Sequence, residues 1–462
     1  MGGTATIREI LDGLTDPRPF PDRLRKLTET FQADADAYRA GAYKEMALRS
    51  DFLNPLLEEL GWDPLNKRGT TYSEREVIQE DQLKIDGKAK APDYAVQTSG
   101  KRRFFVEAKR PLVNIETGRA PAYQVRRYCW TANLPYGLVT DFEEFAIYDC
   151  RQAPAVGDSA AVGRVAYFTL GDLEENWPLL DGMFARDNVT QGILDLLASE
   201  APAPAGTRPI DAAFLDEIRA WRRVLATDVA AANRHLSSLD VSEAVQRLID
   251  RIVFLRIAEA RGLEEEGALA RAAGSDAGVY SQLLRLFKRA DDRYNSGLFH
   301  LNGNASDPVV DRVALGLNVP DESLRRILGR LYYPEPYEFS VMPADILGRI
   351  YEQFLGEQVV VAADRTVRVE LKPEYRKSGG VYYTPTPIVD YIWRKRLARS
   401  SRVRTLPSSR RRDSLWLTPL RVAGRSSSPP TSTCSTGFVI TTPMARSSRR
   451  RTLRPDSMVK SG

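Results

Sequence analysis

The chain has 462 residues, of which 43% are hydrophobic and 9% aromatic, and its formal net charge is +5. This length allows about two or three domains. No apolar run approaches the roughly 20 residues of a membrane-spanning helix, and the sequence MGGTATIREILDGL lacks the features of a secretory signal. Cys129, Cys150 and Cys434 have no metal-ligand spacing and fit free thiols, so we expect a cytoplasmic protein with no membrane partner.

The net positive charge of the chain comes entirely from its C-terminal part. Residues 393–462 contain 17 Lys/Arg and two Asp/Glu, whereas residues 1–392 contain 49 Lys/Arg and 59 Asp/Glu. The balance is therefore +15 for the tail and −10 for the body. The net charge of the body gives no global argument for binding to nucleic acid.

Helical periodicity dominates residues 22–60, as in EMALRSDFLNPLLEELGW. Pro55 indicates the start of a new helix there, with Asn54 as its cap. Strand-like runs follow, with the helix-like APAYQVRRYCWTAN among them. They are REVIQ, PDYAV, RRFFVEAK, YGLVT, EFAIYD and RVAYFTL. These patterns predict a mixed α/β domain over residues 1–170.

Composition changes after this domain. The Pro/Ala-rich SEAPAPAGTRP indicates a linker, which we place at residues 171–210. Helical patterns then predict an all-α domain over residues 211–370. Residues 371–392 begin a third region, and residues 393–462 form a basic, low-complexity tail that we expect to be disordered.

Charged residues converge in the predicted hairpin formed by PDYAV and FFVEAKR. Alternate strand residues share a face, so Glu107 and Lys109 point the same way, whereas Phe104, Val106 and Ala108 point the other way, into a core. A turn at TSGK brings Asp93 beside Glu107. Two carboxylates suit Mg²⁺, which lowers the pKa of a bound water, and Lys109 would orient that water. The alternative is a surface hairpin with solvated charges.

These residues resemble the PD-(D/E)xK nuclease family at PDY and EAK. The helix with Glu45 leading into LGWD, and AYQVRRY with a Q-x-x-x-Y spacing, resemble its restriction-enzyme branch. The resemblance implies an α/β nuclease fold and a Mg²⁺-dependent endonuclease acting on double-stranded DNA. The implied catalytic residues are Asp93, Glu107, Lys109, Glu45 and Gln124, of which the first two bind the metal.

The helical segments RLIDRIVFLRIAEARGL and DILGRIYEQFLGEQV resemble the connector of type IIG restriction–modification enzymes. These enzymes join a nuclease, a connector, an adenine-N6 methyltransferase and a target-recognition region in one polypeptide. RKSGGVYYTPTPIVDYI resembles the opening motif of that methyltransferase. By this resemblance Tyr383, Thr384 and Pro385 lie against S-adenosylmethionine. The expected cofactor loop D-P-x-x-G-S-G and the N-P-P-Y motif do not follow as written.

A shifted reading frame accounts for the missing loop. When the codons from Leu417 onward are read two bases on, they become compatible with D-P-A-(A/S)-G-S-G-S-F-L, with one wobble base free at each position. We therefore expect the chain to be out of frame from between about Ile392 and Leu417. It would then be an N-terminal fragment of a type IIG-like enzyme, using S-adenosylmethionine only in the full-length parent. An inactive DNA-binding or partner-binding remnant and a split methyltransferase completed by a separate chain are the alternatives.

Overall fold

The structure is a computed structural model that describes residues 2–79, 91–276, 278–294, 296–302 and 310–373. Its contacts divide the chain into Met1–Trp393 and Arg394–Gly462. The tail that we expect to be disordered lies outside the described residues. The described part mixes helices with a six-stranded sheet and a two-stranded hairpin, and none of its helices combines the length and apolarity that a membrane crossing requires.

Five α-helices precede the sheet in the described residues, and the four that lie within residues 22–60 confirm the predicted helical periodicity. The five helices are α1 (Gly2–Asp12), α2 (Asp22–Ala33), α3 (Ala35–Arg39), α4 (Glu45–Leu48) and α5 (Asn54–Glu59). A π-helical turn, Arg49–Leu53, joins α4 to α5. Pro55 lies in the first turn of α5, as predicted. Asn54 as a side-chain cap is wrong, because its backbone is already helical and its Oδ1 accepts a hydrogen bond from Tyr94 Oη at 3.0 Å.

All six predicted strand segments are strands of one sheet. They are β1 (Val77–Gln79), β2 (Tyr94–Thr98), β3 (Lys101–Ala108), β4 (Tyr136–Thr140), β5 (Glu144–Asp149) and β6 (Arg164–Thr169). Their spatial order follows the chain from β1 to β6. Neighbours are antiparallel except β3 and β4, which are parallel because the predicted helix α6 (Arg119–Thr131) crosses between them.

The segment 171–210, predicted as a linker, differs in the structure because it contains three helices. They are α7 (Leu173–Phe184), α8 (Arg186–Gln191) and α9 (Ile193–Glu200). Trp177 and Phe184 are fully buried and pack in the core beneath the sheet. Residues 201–209, which hold most of the Pro/Ala run, have no helix. Burial of this apolar stripe outweighs the local composition, and the division into domains stays a prediction.

The sheet separates two apolar cores. Phe104 and Val106 pack on one face with residues of α1, α5 and α7. Phe105 packs on the other face with Cys129 of α6. A Cβ at Gly137 of β4 would come within 2.6 Å of the Cys129 Sγ, so glycine allows α6 to approach the sheet closely. The alternation along β3 confirms the predicted assignment of its two faces.

The region predicted as all-α is helical up to residue 355. Its helices are α10 (Ile210–Ala232), α11 (Ser238–Ala260), α12 (Ala268–Ala273), α13 (Val279–Tyr294), α14 (Arg312–Gly316), α15 (Asp321–Gly329) and α16 (Ala344–Leu355). The all-α prediction is wrong at its end, where β7 (Glu357–Val361) and β8 (Val367–Leu371) form an antiparallel hairpin. The valines of EQVVV and VRVEL favour strands because β-branched side chains fit a pleated surface.

Helix α6 also contacts the helical region through residues 332–341, here called the docking segment. Arg127 Nη1 donates to Glu338 Oε2 at 2.8 Å, and Arg127 Nη2 donates to the carbonyl of Tyr337 at 2.6 Å. The exposed fractions of the Arg127 and Glu338 side chains are 10% and 3%. Thr131 Oγ1 donates to the carbonyl of Pro336 at 3.0 Å. A buried ion pair therefore joins the sheet layer to the helical region.

Glu338→Ala is expected to lower the free energy of unfolding by about 3 kcal/mol, because it leaves the guanidinium of Arg127 buried without its counter-ion. Urea unfolding followed by circular dichroism measures the loss. The control is Glu335→Ala in the same segment, which removes a half-exposed contact with Arg330 at 3.5 Å and should cost below about 1 kcal/mol. Equal losses in the two variants would contradict the role of the ion pair.

Candidate active site

The β2–β3 hairpin brings the two predicted metal ligands together. Ser99 and Gly100 both have positive φ values, 51° and 74°, as the tight turn of a two-residue hairpin requires. Tyr94 pairs with Val106, and the next step of this register sets Asp93 opposite Glu107. Both side chains are buried, with exposed fractions of 4% for Asp93 and 3% for Glu107. Asp93 and Glu107 are called the carboxylate pair below.

Lys109 lies beside the carboxylate pair, as the alternation along β3 predicts. Its backbone N–H donates to the carbonyl of Thr140 at 3.0 Å, which continues the parallel pairing with β4. Its Nζ lies 2.5 Å from Glu107 Oε1. The other oxygen of Glu107, Oε2, is buried and has no hydrogen-bond partner within the described residues. The ammonium thus engages one half of the Glu107 carboxylate.

Two groups fix the carboxylate of Asp93. Its Oδ2 accepts a hydrogen bond from the backbone N–H of Ala108 at 2.8 Å. Its Oδ1 lies 3.5 Å from Arg49 Nη1, and Arg49 Nη2 donates to the carbonyl of Asp93 at 3.2 Å. The guanidinium of Arg49 also lies 4.8 Å from the centre of the Tyr94 ring. Asp93 is therefore held by its own hairpin and by the helix that precedes the sheet.

Sequence reasoning missed Arg49. The predicted residue Glu45 opens α4 and contacts Asp93 through a side-chain hydrogen bond. Arg49 follows Glu45 by four residues at the start of the π-helical turn, and residues four apart share a helix face. The spacing Glu-x-x-x-Arg ahead of LGWD is the local signal that points to it. The identity of its partner is not local, because Arg49 and Asp93 are 44 residues apart in the chain.

The pKa values in this cluster reflect burial and crowding of like charges. Burial, and then the charge of Asp93, raise the pKa of Glu45 to about 7, against the opposing charges of Lys109 and Arg49. Burial and the charge of Asp93 also raise the pKa of Glu107 well above its ordinary value. Burial lowers the pKa of Lys109, but the charges of the carboxylate pair outweigh it, so the net shift is upward. The site therefore stabilises bound positive charge.

The donor set fits a divalent cation with hard-ligand preference. Within the described residues no group of three Asp, Glu, His or Cys side chains is already arranged around one metal position. Mg²⁺ requires only one or two protein carboxylates, since it retains several waters. The partnerless Oε2 of Glu107 beside the fixed carboxylate of Asp93 meets that requirement. The carboxylate pair would hold the ion, with Glu45 nearby.

Gln124 lies on α6, on the side of the sheet that carries Phe105. Its side chain hydrogen-bonds Tyr128, one turn later. The pKa of the Tyr128 hydroxyl is raised, first by burial and then by the charge of Glu107. Tyr128 therefore lies close enough to Glu107 for the carboxylate charge to act on its hydroxyl, and Gln124 lies one helical turn before Tyr128. The predicted cofactor-binding residues Tyr383, Thr384 and Pro385 lie outside the described residues.

The raised pKa of Glu45 predicts a pH-dependent stability. The folded chain binds the Glu45 proton more tightly than the unfolded chain, whose pKa stays near 4.5. The free energy of unfolding therefore falls as pH rises from about 4.5 to about 7, and the loss is complete above that range. Glu45→Gln removes this titration. The free energy of unfolding of the variant, relative to that of the wild type, should therefore be higher at about pH 8 than at about pH 4.

Urea unfolding at the two pH values, with EDTA present, measures the difference. Glu174→Gln is the control, because a hydrogen bond from Arg25 lowers the pKa of Glu174. Its effect has the opposite sign, so the control should not gain stability at high pH. A Glu45→Gln variant whose stability relative to the wild type does not change with pH would refute the raised pKa.

Comparison with known proteins identifies one relevant relative. Over 376 residues the chain is 36% identical to the type II restriction enzyme and methyltransferase RM.Eco57I of Escherichia coli. The alignment covers 81% of this chain and 36% of that protein, so the chain spans about a third of its relative's length. No protein-family model matches the chain, and no solved structure matches it. The chain is therefore related to a restriction–modification enzyme.

Proposed function

We propose that this chain carries the Mg²⁺-dependent DNA endonuclease module of a type IIG-like restriction–modification enzyme, built on a PD-(D/E)xK fold. The observation that carries the proposal is the convergence of Asp93, Glu107 and Lys109 at the end of one buried hairpin. A solvated surface hairpin would leave these charges exposed. Similarity to a type II restriction enzyme and methyltransferase supports double-stranded DNA as the partner.

Each residue of the cluster has a distinct part in the proposed reaction. A bound Mg²⁺ would lower the pKa of a coordinated water and offset the charge of the scissile phosphate. Asp93 is pre-positioned by the Ala108 N–H and by Arg49, so it needs little rearrangement to bind a cation. Glu107 offers the free oxygen Oε2. Lys109 orients the attacking water and stabilises its deprotonated form.

Glu45 and Arg49 adjust the charge around the carboxylate pair. Because the pKa of Glu45 is about 7, its carboxyl group holds a proton in much of the metal-free protein at neutral pH and hydrogen-bonds Asp93. Cation binding favours loss of that proton, since a third carboxylate then faces a positive charge. Arg49 keeps Asp93 in place in both states. The affinity for the cation should therefore rise with pH through neutrality.

Mg²⁺-dependent nicking of supercoiled plasmid tests the proposal. Glu107→Gln and Lys109→Met should each lower the nicking rate by about 100-fold or more, because they remove a metal ligand and the water-orienting ammonium. Lys101→Met is the matched control: Lys101 begins the same strand, is exposed and should keep the wild-type rate. EDTA should abolish nicking by all active variants, and unfolding midpoints check that each variant folds.

Two outcomes would overturn this assignment. Nicking that survives both Glu107→Gln and Lys109→Met would show that another group performs the chemistry. A folded wild-type protein that binds DNA but never nicks it would instead favour an inactive DNA-binding remnant.

We also propose that the residues after the methyltransferase opening motif are read out of frame. The shifted reading from Leu417 restores a cofactor loop at the place where the methyltransferase resemblance requires one. It also explains a segment with 17 Lys/Arg and two Asp/Glu, since off-frame reading of a GC-rich gene yields many Arg and Ser codons. Methyl transfer with S-adenosylmethionine, with Tyr383, Thr384 and Pro385 against the cofactor, then belongs to the in-frame parent.

Resequencing the gene across the codons for residues 388–420 tests this second proposal. We expect the newly determined gene sequence to differ from the present one by a frame shift within that interval. An intact frame would end the hypothesis. A downstream reading frame that begins inside the cofactor loop would instead indicate a methyltransferase divided between two chains.

A further inference from the structure

A β-bulge interrupts the hairpin that carries the carboxylate pair. Gln97 pairs with Arg102, whereas its neighbour Val96 pairs with Phe104. Arg103 is therefore the extra residue on β3. One extra residue reverses the alternation of side chains along the strand on one side of the bulge.

The bulge turns Arg102 toward the face that carries Glu107. The guanidinium of Arg102 lies 6.0 Å from the centre of the Phe105 ring, and Phe105 shares its face with Glu107. The side chain of Arg103 points to the opposite face of the sheet, where its Nη1 lies 3.5 Å from Oδ2 of Asp195 in α9. A regular strand would have placed Arg103, rather than Arg102, on the face with Glu107.

Arg102 lines a cavity of ≈ 490 Å³ between the sheet and the C-terminal end of α11. Its floor includes Ala95 and Phe105, which pair directly with each other. The carboxylate pair is two residues farther along the same strands, at a distance of about 7 Å. Arg261, the residue after α11, lines the cavity from the helical region. Two arginines from separate layers therefore meet beside the candidate active site.

The positive charge of these two arginines is not neutralised within the described residues. Arg102 Nη1 donates to the carbonyl of Val341 at 2.9 Å, which is an uncharged acceptor. Arg261 is exposed and has no ion pair in the described part of the chain. Burial, and then the charge of Arg261, lower the pKa of Arg102, so the two guanidiniums repel each other. An anion between them would relieve that repulsion.

Glu259 and Glu266 also line the cavity, and the carboxylate of Glu259 has other partners. Glu259 is buried, and its oxygens accept hydrogen bonds from the backbone N–H of Leu269 at 2.9 Å and from Tyr332 Oη at 2.6 Å. Neither Arg102 nor Arg261 forms an ion pair with a carboxylate of the described residues. Tyr72, whose exposed fraction is 53%, lies at the same cavity and offers an aromatic surface next to the guanidiniums.

We propose that this cavity is a subsite for a phosphate of the DNA backbone, held between the guanidiniums of Arg102 and Arg261. Guanidinium groups present paired donors that match phosphate oxygens, and Tyr72 adds a surface on which a neighbouring base stacks. The inference rests on the proposed nuclease function, because it deepens the description of how that site engages its substrate. The helical region then contributes directly to substrate binding through Arg261.

Equilibrium binding of a fluorescent DNA duplex by the full chain, measured in EDTA over a range of salt concentrations, tests the subsite. Arg261→Gln and Arg102→Gln should each weaken binding about tenfold. Each should also lower the slope of log affinity against log salt by about one, and the double variant by about two. The basic tail is present in every variant, so its contribution cancels in these differences.

Arg285→Gln is the matched control, because Arg285 is an exposed arginine on α13 whose side chain contacts Gln282 at 3.2 Å. Its slope should equal that of the wild type. Arg261→Gln removes no ion pair or hydrogen bond within the described residues, so it remains a valid test even if Arg102→Gln proves unstable. An unchanged slope in Arg261→Gln would overturn the subsite.

Binding in EDTA requires no cleavage, so the proposed subsite and the proposed nuclease activity can be refuted independently of each other. Nicking by a wild type whose binding is insensitive to Arg102→Gln and Arg261→Gln would refute the subsite alone. Arginine-dependent binding without nicking would refute the nuclease alone.

Discussion

Three carboxyl groups and two cations share one largely dry volume at the end of the β2–β3 hairpin, and this imbalance of charge constrains the site. Glu45, Asp93 and Glu107 together carry more negative charge than Arg49 and Lys109 offset. Removing such charges from water costs several kcal/mol per ion unless they are compensated. The protein can hold a proton there, as the raised pKa values of Glu45 and Glu107 indicate, or bind a divalent cation. The same imbalance is thus a cost to the metal-free fold and, under the proposed function, the reason for a cation to bind.

Helix α6 connects this volume to the helical region because its two sides have different partners. Tyr128 lies close enough to Glu107 for the carboxylate charge to raise its pKa, whereas Arg127 and Thr131 hydrogen-bond the docking segment. Trp130 packs within the core of the helical region. Gly137 sets how closely α6 approaches the sheet. The position of Gln124 therefore depends on the docking segment as well as on the strands, so the site is shared between two layers.

Local patterns predicted the six strands and the direction of Glu107, because strand alternation and the turn at Ser99 are encoded within a few residues. They did not predict Arg49, since its partner Asp93 is distant in the chain. The helices of 171–210 were missed because their burial against the sheet is a tertiary effect. Local patterns could not predict the bulge at Arg103 either, because it exists only once β2 and β3 are paired.

The bulge also reconciles the acidic body with the proposed phosphate subsite. The sequence balance of −10 over residues 1–392 describes a field far from the surface, and salt screens that field beyond about 8 to 10 Å. Within this distance a phosphate meets individual groups, so the placement of two guanidiniums matters more than the sum of all charges. Moving Arg102 to the other face would leave the net charge unchanged and remove half of the proposed subsite. Net charge therefore constrains long-range attraction, whereas strand register determines which charges a substrate meets on contact.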